Sequence, residues 1–122
     1  AAAYTAYYQA MEGDYERAAV SLADAQSCQQ RLNSPLEGVI LHFVSMHIRS
    51  RLDLEQRTGS PLAPLLTYSP ESYARQGVRL LSSVPSVFEA EQLSQSLRNG
   101  IATQQRYRAS ELYSKNKHFM AE

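Results

Sequence analysis

The sequence has few of the residues that define several protein classes. It contains one cysteine, no tryptophan, five glycines and five prolines among 122 residues. A single cysteine excludes a disulfide framework, and a hydrophobic share of 43% argues against a disordered or collagen-like chain. The longest uncharged apolar stretch, residues 38–46, is too short to cross a bilayer. Twelve basic residues balance twelve acidic ones, so no overall field attracts nucleic acid or acidic lipid.

A chain of 122 residues is long enough to form one domain with a modest core. The sequence begins with three alanines and no methionine, which we interpret as a processed or excised N-terminus. The sequence has no basic segment followed by an apolar core, which is the pattern of a retained secretory signal. We therefore expect a soluble protein, with the cytoplasm as the favoured compartment.

Three helices are predicted in the N-terminal half. The first covers residues 2–11 and is closed by Gly13, and the second covers about 14–32 with Asp14 as its cap. The third begins with Ser34, followed by Pro35 and by Glu37 three residues after the serine, which is a capping-box pattern. Apolar residues cover more than half of this third helix, so we expect it to be the central and most buried one.

A proline-rich loop divides the chain, giving a predicted N-terminal unit over 1–57, a loop over 58–70 and a C-terminal unit over 70–118. Within the last unit we predict a short helix from Pro70 to about Leu81. A second helix follows, capped by Ser86 with Glu89 three residues on, and Gly100 inside it is a candidate bend. No period-two alternation indicates a strand. The predicted fold class is therefore all-α, a bundle or short repeat-like array of four or five antiparallel helices.

Small and aromatic residues over about 2–32 follow a recognisable spacing. Small residues let two antiparallel helices approach closely, a glycine permits the turn between them, and a tyrosine fills the base of the second helix. In this pattern the stretch resembles one tetratricopeptide repeat, a helical hairpin of a protein-binding array. The positions that carry the resemblance are Ala6, Gly13, Tyr15, Ala18, Leu22 and Ala25.

The resemblance covers about a quarter of the chain, and several of its positions depart from the repeat. Ala2, Thr5 and Gln9 stand where the repeat has tryptophan, leucine and tyrosine, and Gln30 stands at its closing proline, with Pro35 five residues later. No second copy follows, whereas stable arrays normally stack three. The motif Gly-x-Tyr-Glu-x-Ala at residues 13–18 also resembles the first hairpin of MIT-type three-helix domains, which bind short peptide helices. An ordinary helical hairpin is the third interpretation.

Tyrosine is unusually frequent, with eight residues in the chain. Tyr4 and Tyr8 are one turn apart on a helix and share a face, and a tyrosine side chain suits partner surfaces because it combines a large apolar body with a polar tip. Two interpretations stay open: simple packing at the hairpin end, or a docking surface for a partner helix. The predicted partner-binding residues are Tyr4, Tyr8, Tyr15, Arg49, Arg51, Arg106 and Arg108.

Basic residues outnumber acidic ones by five to two between residues 98 and 122. Interleaved aromatic residues in this segment are compatible with single-stranded nucleic acid. Because the excess is small and a solvated helix face explains it equally well, we do not expect nucleic acid as the partner.

Catalytic chemistry has little support in the sequence. His42 and His47 are five residues apart, about 140° around a helix, so they cannot grip one metal ion as an i, i+4 pair can. Cys28 has no CxxC partner and is predicted to be a buried, inert thiol. No phosphate loop or nucleophile elbow appears. We expect no enzymatic activity, cofactor or metal.

The predicted function is therefore a non-catalytic protein–protein interaction module: an adaptor, a chaperone-like scaffold or an accessory subunit of a larger complex. Binding would use helix-in-groove contacts. The alternative is a regulatory bundle that holds a small molecule between helices near Phe43 and His47.

Overall fold

The computed structural model of the chain describes residues 2–55, 60–84 and 88–121; for Phe88, Tyr107 and residues 110–121 it describes the helical backbone alone. Over these ranges there are five α-helices, two short 3-10 turns and no strand, which confirms the all-α prediction. The α-helices are α1 (Ala2–Met11), α2 (Tyr15–Leu32), α3 (Pro35–Leu54), α4 (Pro70–Leu80) and α5 (Phe88–Ala121), and the 3-10 turns are Ala63–Leu65 and Leu81–Ser83.

Helices α1 and α2 form a hairpin whose turn follows from two residues. Gly13 has φ of +87°, in the left-handed region that favours glycine. Asp14 then caps α2, because its Oδ1 accepts a hydrogen bond from the Arg17 amide at 3.3 Å. The helices approach closely through small side chains, which are all buried: Ala3, Ala6, Ala10, Ala18 and Ala25.

The corner between α2 and α3 differs from the predicted capping box. Ser34 is the N-cap residue of α3, but its side chain makes no cap hydrogen bond, so that part of the prediction is wrong. The corner is held from α2 instead: Asn33 takes the left-handed conformation and its amide donates to the Gln29 carbonyl at 2.8 Å. The Gln29 side chain in turn donates from Nε2 to the Ser34 carbonyl at 2.9 Å.

Helix α3 is the centre of the fold and contacts the other four α-helices. Its buried side chains include Val39, Val44 and Ile48, each fully removed from solvent. Helices α1 and α5 both contact α3, and we describe these three helices as one layer. Helices α2 and α4 belong to the other layer, where they complete the hairpins α1–α2 and α3–α4. This layer matters for function because its outer face carries the groove described below.

The proline-rich loop is more than a linker. In its described part, Leu62 and Leu66 are both fully buried. Arg49 of α3 fastens it, because Nη1 donates to the Leu66 carbonyl at 2.9 Å, and Gln26 of α2 donates from Nε2 to the Leu65 carbonyl at 3.0 Å. The loop therefore adds two leucines to the core and is fastened to α2 and α3.

Helix α4 begins at Pro70, as predicted, with Ser69 as its cap: the Ser69 Oγ accepts from the Ser72 amide at 3.1 Å. Helix α5 continues through Gly100 without interruption, so the candidate bend does not interrupt the helix there. The predicted Ser86 cap lies outside the described residues. In the described part of the chain, no helix is long and apolar enough to span a membrane.

Candidate functional site

A groove runs along the layer formed by α1, α3 and α5. At one end it lies between α1, α3 and α5, and at the other end between α3 and α5. It consists of two adjoining clefts of about 310 and 320 Å³, both of which are lined by Ser96 of α5. We call this surface the front groove, and its residues are Tyr4, Tyr7, Tyr8, Phe43, Met46, His47, Ser50, Glu89, Gln92, Leu93, Ser96, Asn99, Gly100, Thr103 and Gln104.

One end of the front groove is aromatic. The Tyr7 ring lies edge-on to Tyr8 with centroids 5.4 Å apart, and it also contacts Phe43 at 6.3 Å and His47 at 5.8 Å. Phe43 and His47 stack edge-on at 4.7 Å. Tyr8 stands at the rim with 62% of its surface exposed, although the rings beneath it are half-buried. This end therefore offers one accessible aromatic ring above a rigid aromatic cluster.

Tyr4 connects the two walls of the groove. Its hydroxyl donates a hydrogen bond to Glu89 Oε1 of α5 at 3.3 Å. Burial raises the pKa of Tyr4, and the neighbouring Glu89 carboxylate raises that pKa further. Tyr4 thus stays protonated and acts as a donor across the groove.

The other end of the front groove has no charged side chain among its described lining residues, and several of them are polar. Ser50 of α3 and Asn99, Thr103 and Gln104 of α5 line it together with His47. Burial lowers the pKa of His47, so the imidazole is neutral at pH 7 and has one donor and one acceptor nitrogen. Such groups can pair with the backbone or with polar side chains of a bound chain.

Tyr15 and Arg51, both predicted partner-binding residues, lie at another place on the molecule. The Tyr15 hydroxyl donates to Glu55 Oε2, and Arg51 Nε donates to Glu55 Oε1 at 2.9 Å. The Arg51 guanidinium also contacts the Met11 sulfur at 3.8 Å. These contacts tie the start of α2 to the ends of α1 and α3, so the structure does not bring Tyr15 together with Tyr4 and Tyr8.

The remaining predicted arginines are dispersed. Arg49 holds the loop at Leu66, and its Nε lies 3.1 Å from Asp53 Oδ1, an ion-pair distance without hydrogen-bond geometry. Arg108 pairs with Glu71 of α4. Arg106 is exposed on α5. The seven predicted residues thus form no single surface; Tyr4 and Tyr8 are the two that share the front groove.

His42 and Cys28, considered from the sequence as candidate metal-binding and catalytic residues, both contact other side chains of the fold. The His42 ring packs against Tyr73 at 6.2 Å, and burial lowers its pKa. Cys28 is half-buried rather than buried, which corrects the prediction, and the Arg31 Nη2 lies 3.4 Å from its sulfur. Among the residues that the structure describes, no three His, Cys, Asp or Glu side chains form a metal-binding group.

Sequence reasoning missed the contribution of α5 to the groove. Ser96, Asn99 and Gln104 lie on its inner face, next to Gly100. Asn99 beside Gly100 was the available signal, whereas only Gly100 was considered from the sequence, as a candidate bend. No protein-family model, curated protein or solved structure matches the chain, so the function must be argued from this geometry.

Proposed function

We propose that the protein is a non-catalytic interaction module that binds a helical segment of a partner protein in the front groove. The observation that carries the proposal is Tyr8, a large ring with 62% exposure at the rim of an open groove lined by Tyr7 and Phe43. Aromatic anchors above preformed pockets carry a large share of the energy in protein interfaces. Tyr7 and Phe43 are already half-buried in the unbound protein. Their side chains therefore lose little conformational entropy when a partner binds.

The dimensions of the groove suit a helix. Along α5 it extends from Glu89 to Gln104, which corresponds to about 22 Å at about 1.5 Å per residue. About four turns of a partner helix would fill that length. Apolar residues one turn apart would contact the tyrosines and Phe43, and polar residues further along would meet Asn99 and Gln104.

The order of the helices supports the same proposal. Two hairpins, α1–α2 and α3–α4, stack side by side, and α5 continues their layer. Proteins built from stacked helical hairpins use the concave face of one helix layer to bind extended partners. The proposed relation to tetratricopeptide-type hairpins is compatible with this order, and with a partner seated on α1, α3 and α5.

Site-specific photo-cross-linking tests the proposal. A photoreactive phenylalanine derivative is placed at Tyr8, or at Leu32 as the control, because Leu32 is also a large exposed side chain (74%) but lies on α2, outside the front groove. In cells that make the protein, we expect one discrete cross-linked protein from position 8 and none at the same mass from position 32. The cross-link should decrease at least about tenfold when Phe43 is changed to Ala, because the aromatic cluster under the rim is then lost.

Two results would contradict the proposal. One is equal cross-linking to the same proteins from positions 8 and 32, which indicates non-specific contact. The other is a Phe43→Ala variant that keeps its helicity and gives an undiminished cross-link at position 8.

A small polar molecule is the second candidate occupant. The observation favouring it is the cleft of about 320 Å³ beside the neutral His47, at the lower end of the size range of ligand pockets. A thermal-shift screen checks this: a compound that raises the unfolding temperature of the wild type, but not of a His47→Phe variant, would support it. A screen without such a compound would remove this candidate.

A further inference from the structure

The seam between α4 and α5, on the other side of α5 from the front groove, is lined with arginine. Two clefts of about 570 and 460 Å³ lie along this seam, and Arg75 and Arg79 of α4 line both. Arg108 lines the first cleft and Arg98 the second. We call this surface the arginine groove, defined by these four arginines together with Val78 and Ile101.

Most of the positive charge in the arginine groove is not neutralised. Glu71 is the one carboxylate among its lining residues, and it already pairs with Arg75 at 2.8 Å and with Arg108. Within the described residues, no carboxylate lies within 4.0 Å of the guanidinium groups of Arg79 and Arg98. The whole chain has zero net charge, so four arginines against one glutamate concentrate a positive field here.

The floor of the second cleft, which Arg75, Arg79 and Arg98 surround, is apolar. Val78 of α4 and Ile101 of α5 lie half-buried between the arginines. Single-stranded nucleic acid would need aromatic faces for its bases. The one described aromatic residue among the lining residues, Tyr68, is at one end of the groove and packs edge-on against Tyr73 at 5.6 Å. An acidic protein segment with apolar side chains fits this combination of charge and floor better.

We infer that the arginine groove binds an acidic, amphipathic segment of another protein. Carboxylates of the segment would pair with Arg79 and Arg98, and an apolar side chain between them would lie on Val78 and Ile101. The inference goes beyond the proposed function, because it concerns the opposite side of α5 and uses none of the front-groove residues.

Fluorescence anisotropy with defined probes tests the inference. The probes are a labelled helical peptide with glutamate pairs and one leucine per turn, the same peptide with each leucine changed to alanine, and single-stranded oligothymidine. We expect the first peptide to bind with an affinity that falls as salt rises, and the alanine peptide to bind at least about tenfold more weakly. We also expect the double variant Arg79→Glu/Arg98→Glu to lose at least about tenfold in affinity for the first peptide.

A matched control has the same change in net charge at another place. Arg17 and Arg31 are exposed on α2, away from the arginine groove, so Arg17→Glu/Arg31→Glu should keep the wild-type affinity. Equal losses in both double variants would indicate general electrostatic attraction and overturn the inference. Equal binding of the two peptides would do the same, since the apolar floor would then play no part.

Two further outcomes decide between partner classes and guard against unfolded variants. Tighter binding of oligothymidine than of the first peptide would assign the groove to nucleic acid and overturn the inference. If the variants lose helicity, amide NMR shifts of the wild-type protein on adding the first peptide give the answer. Shifts confined to residues 75–79 and 98–108 support the inference, and shifts elsewhere contradict it.

Discussion

The two faces of α5 differ in chemistry although they belong to one helix. The face toward α3 presents Ser96, Asn99 and Gln104, which are uncharged. The face toward α4 presents Arg98 and Arg108. The front groove therefore combines aromatic rings with uncharged polar side chains and one carboxylate, Glu89, whereas the arginine groove combines guanidinium groups with the apolar pair Val78 and Ile101.

Under the two proposals, one helix would bind two partners through separate faces. The two grooves share no lining residue in the described part of the chain, but they share the core beneath them. Leu97 is fully buried and lies under Gly77 of α4, and Met46 of α3 lies under Gly100. Changes in this shared core should affect both grooves, and changes at one wall should affect one groove.

The largest expected effect comes from Leu97→Ala. The leucine is fully buried where α4 meets α5, so its removal leaves a cavity and should lower the free energy of unfolding by about 2–5 kcal/mol. Urea unfolding followed by circular dichroism measures this. Leu32→Ala is the control, because Leu32 is 74% exposed and its loss should change stability by less than about 0.5 kcal/mol. Similar losses in the two variants would mean that Leu97 is not part of the shared core.

An intermediate effect is expected for Gly77→Ala, which acts on one wall of the arginine groove. The new Cβ would lie 2.8 Å from Leu97 Cδ1 and 3.3 Å from His42 Cβ, so the Leu97 side chain or α4 itself must shift. We expect a loss of about 1–3 kcal/mol, and weaker binding of the acidic peptide with little change in cross-linking from position 8.

A double-mutant cycle checks the cause assigned to Gly77→Ala. In the Leu97→Ala background the overlapping Cδ atoms are gone, so Gly77→Ala should cost less than it does in the wild type. Additive losses in the double variant would contradict a clash between these two residues.

The smallest expected effect is a dependence on pH that separates the two grooves. Burial lowers the pKa values of His42 and His47, so the folded protein favours the neutral imidazoles. Below the usual histidine pKa of about 6.5 the unfolded chain binds more protons, so stability should fall as the pH drops from about 7 to 5.5. His47 lines the front groove, and no histidine is among the described residues that line the arginine groove.

Urea midpoints across that pH range test the effect on stability. The His47→Phe variant should show a shallower loss than the wild type, since one of the two titrating groups is removed. Binding of the acidic peptide should stay constant between about pH 7 and 6, where the arginines keep their charge. An equally steep loss of stability in His47→Phe would assign the pH dependence to other groups.

Much of the fold follows from local signals in the sequence. The bounds of α1 and the caps at Asp14 and Ser69 follow from short-range hydrogen bonding, which a sequence reports directly. Ser34 is the N-cap residue of α3 as predicted, but the side-chain hydrogen bond that the same rule predicts is absent, and Gln29 of α2 and the C-cap residue Asn33 hold that corner. A local pattern fails where a neighbouring element satisfies the backbone first.

The candidate site was predicted in part. Tyr4 and Tyr8 were placed on one face by their spacing, and the structure gives them the common groove that this spacing allows. Tyr15, Arg49 and Arg51 were predicted as partner-binding residues, but each has contacts within the fold at another place. Sequence spacing places side chains on a face of one helix, and it does not report the side chain that arrives from another helix.

The sequence by itself determined that the chain is helical, where most of its helices begin and end, and that tyrosine is concentrated near its start. These properties depend on residues within one or two turns of each other. Only the tertiary structure decided which face of α5 meets α3 and which meets α4. That choice depends on distant residues that fit together, with Gly77 over Leu97 and Gly100 over Met46, and it creates the two grooves from one helix.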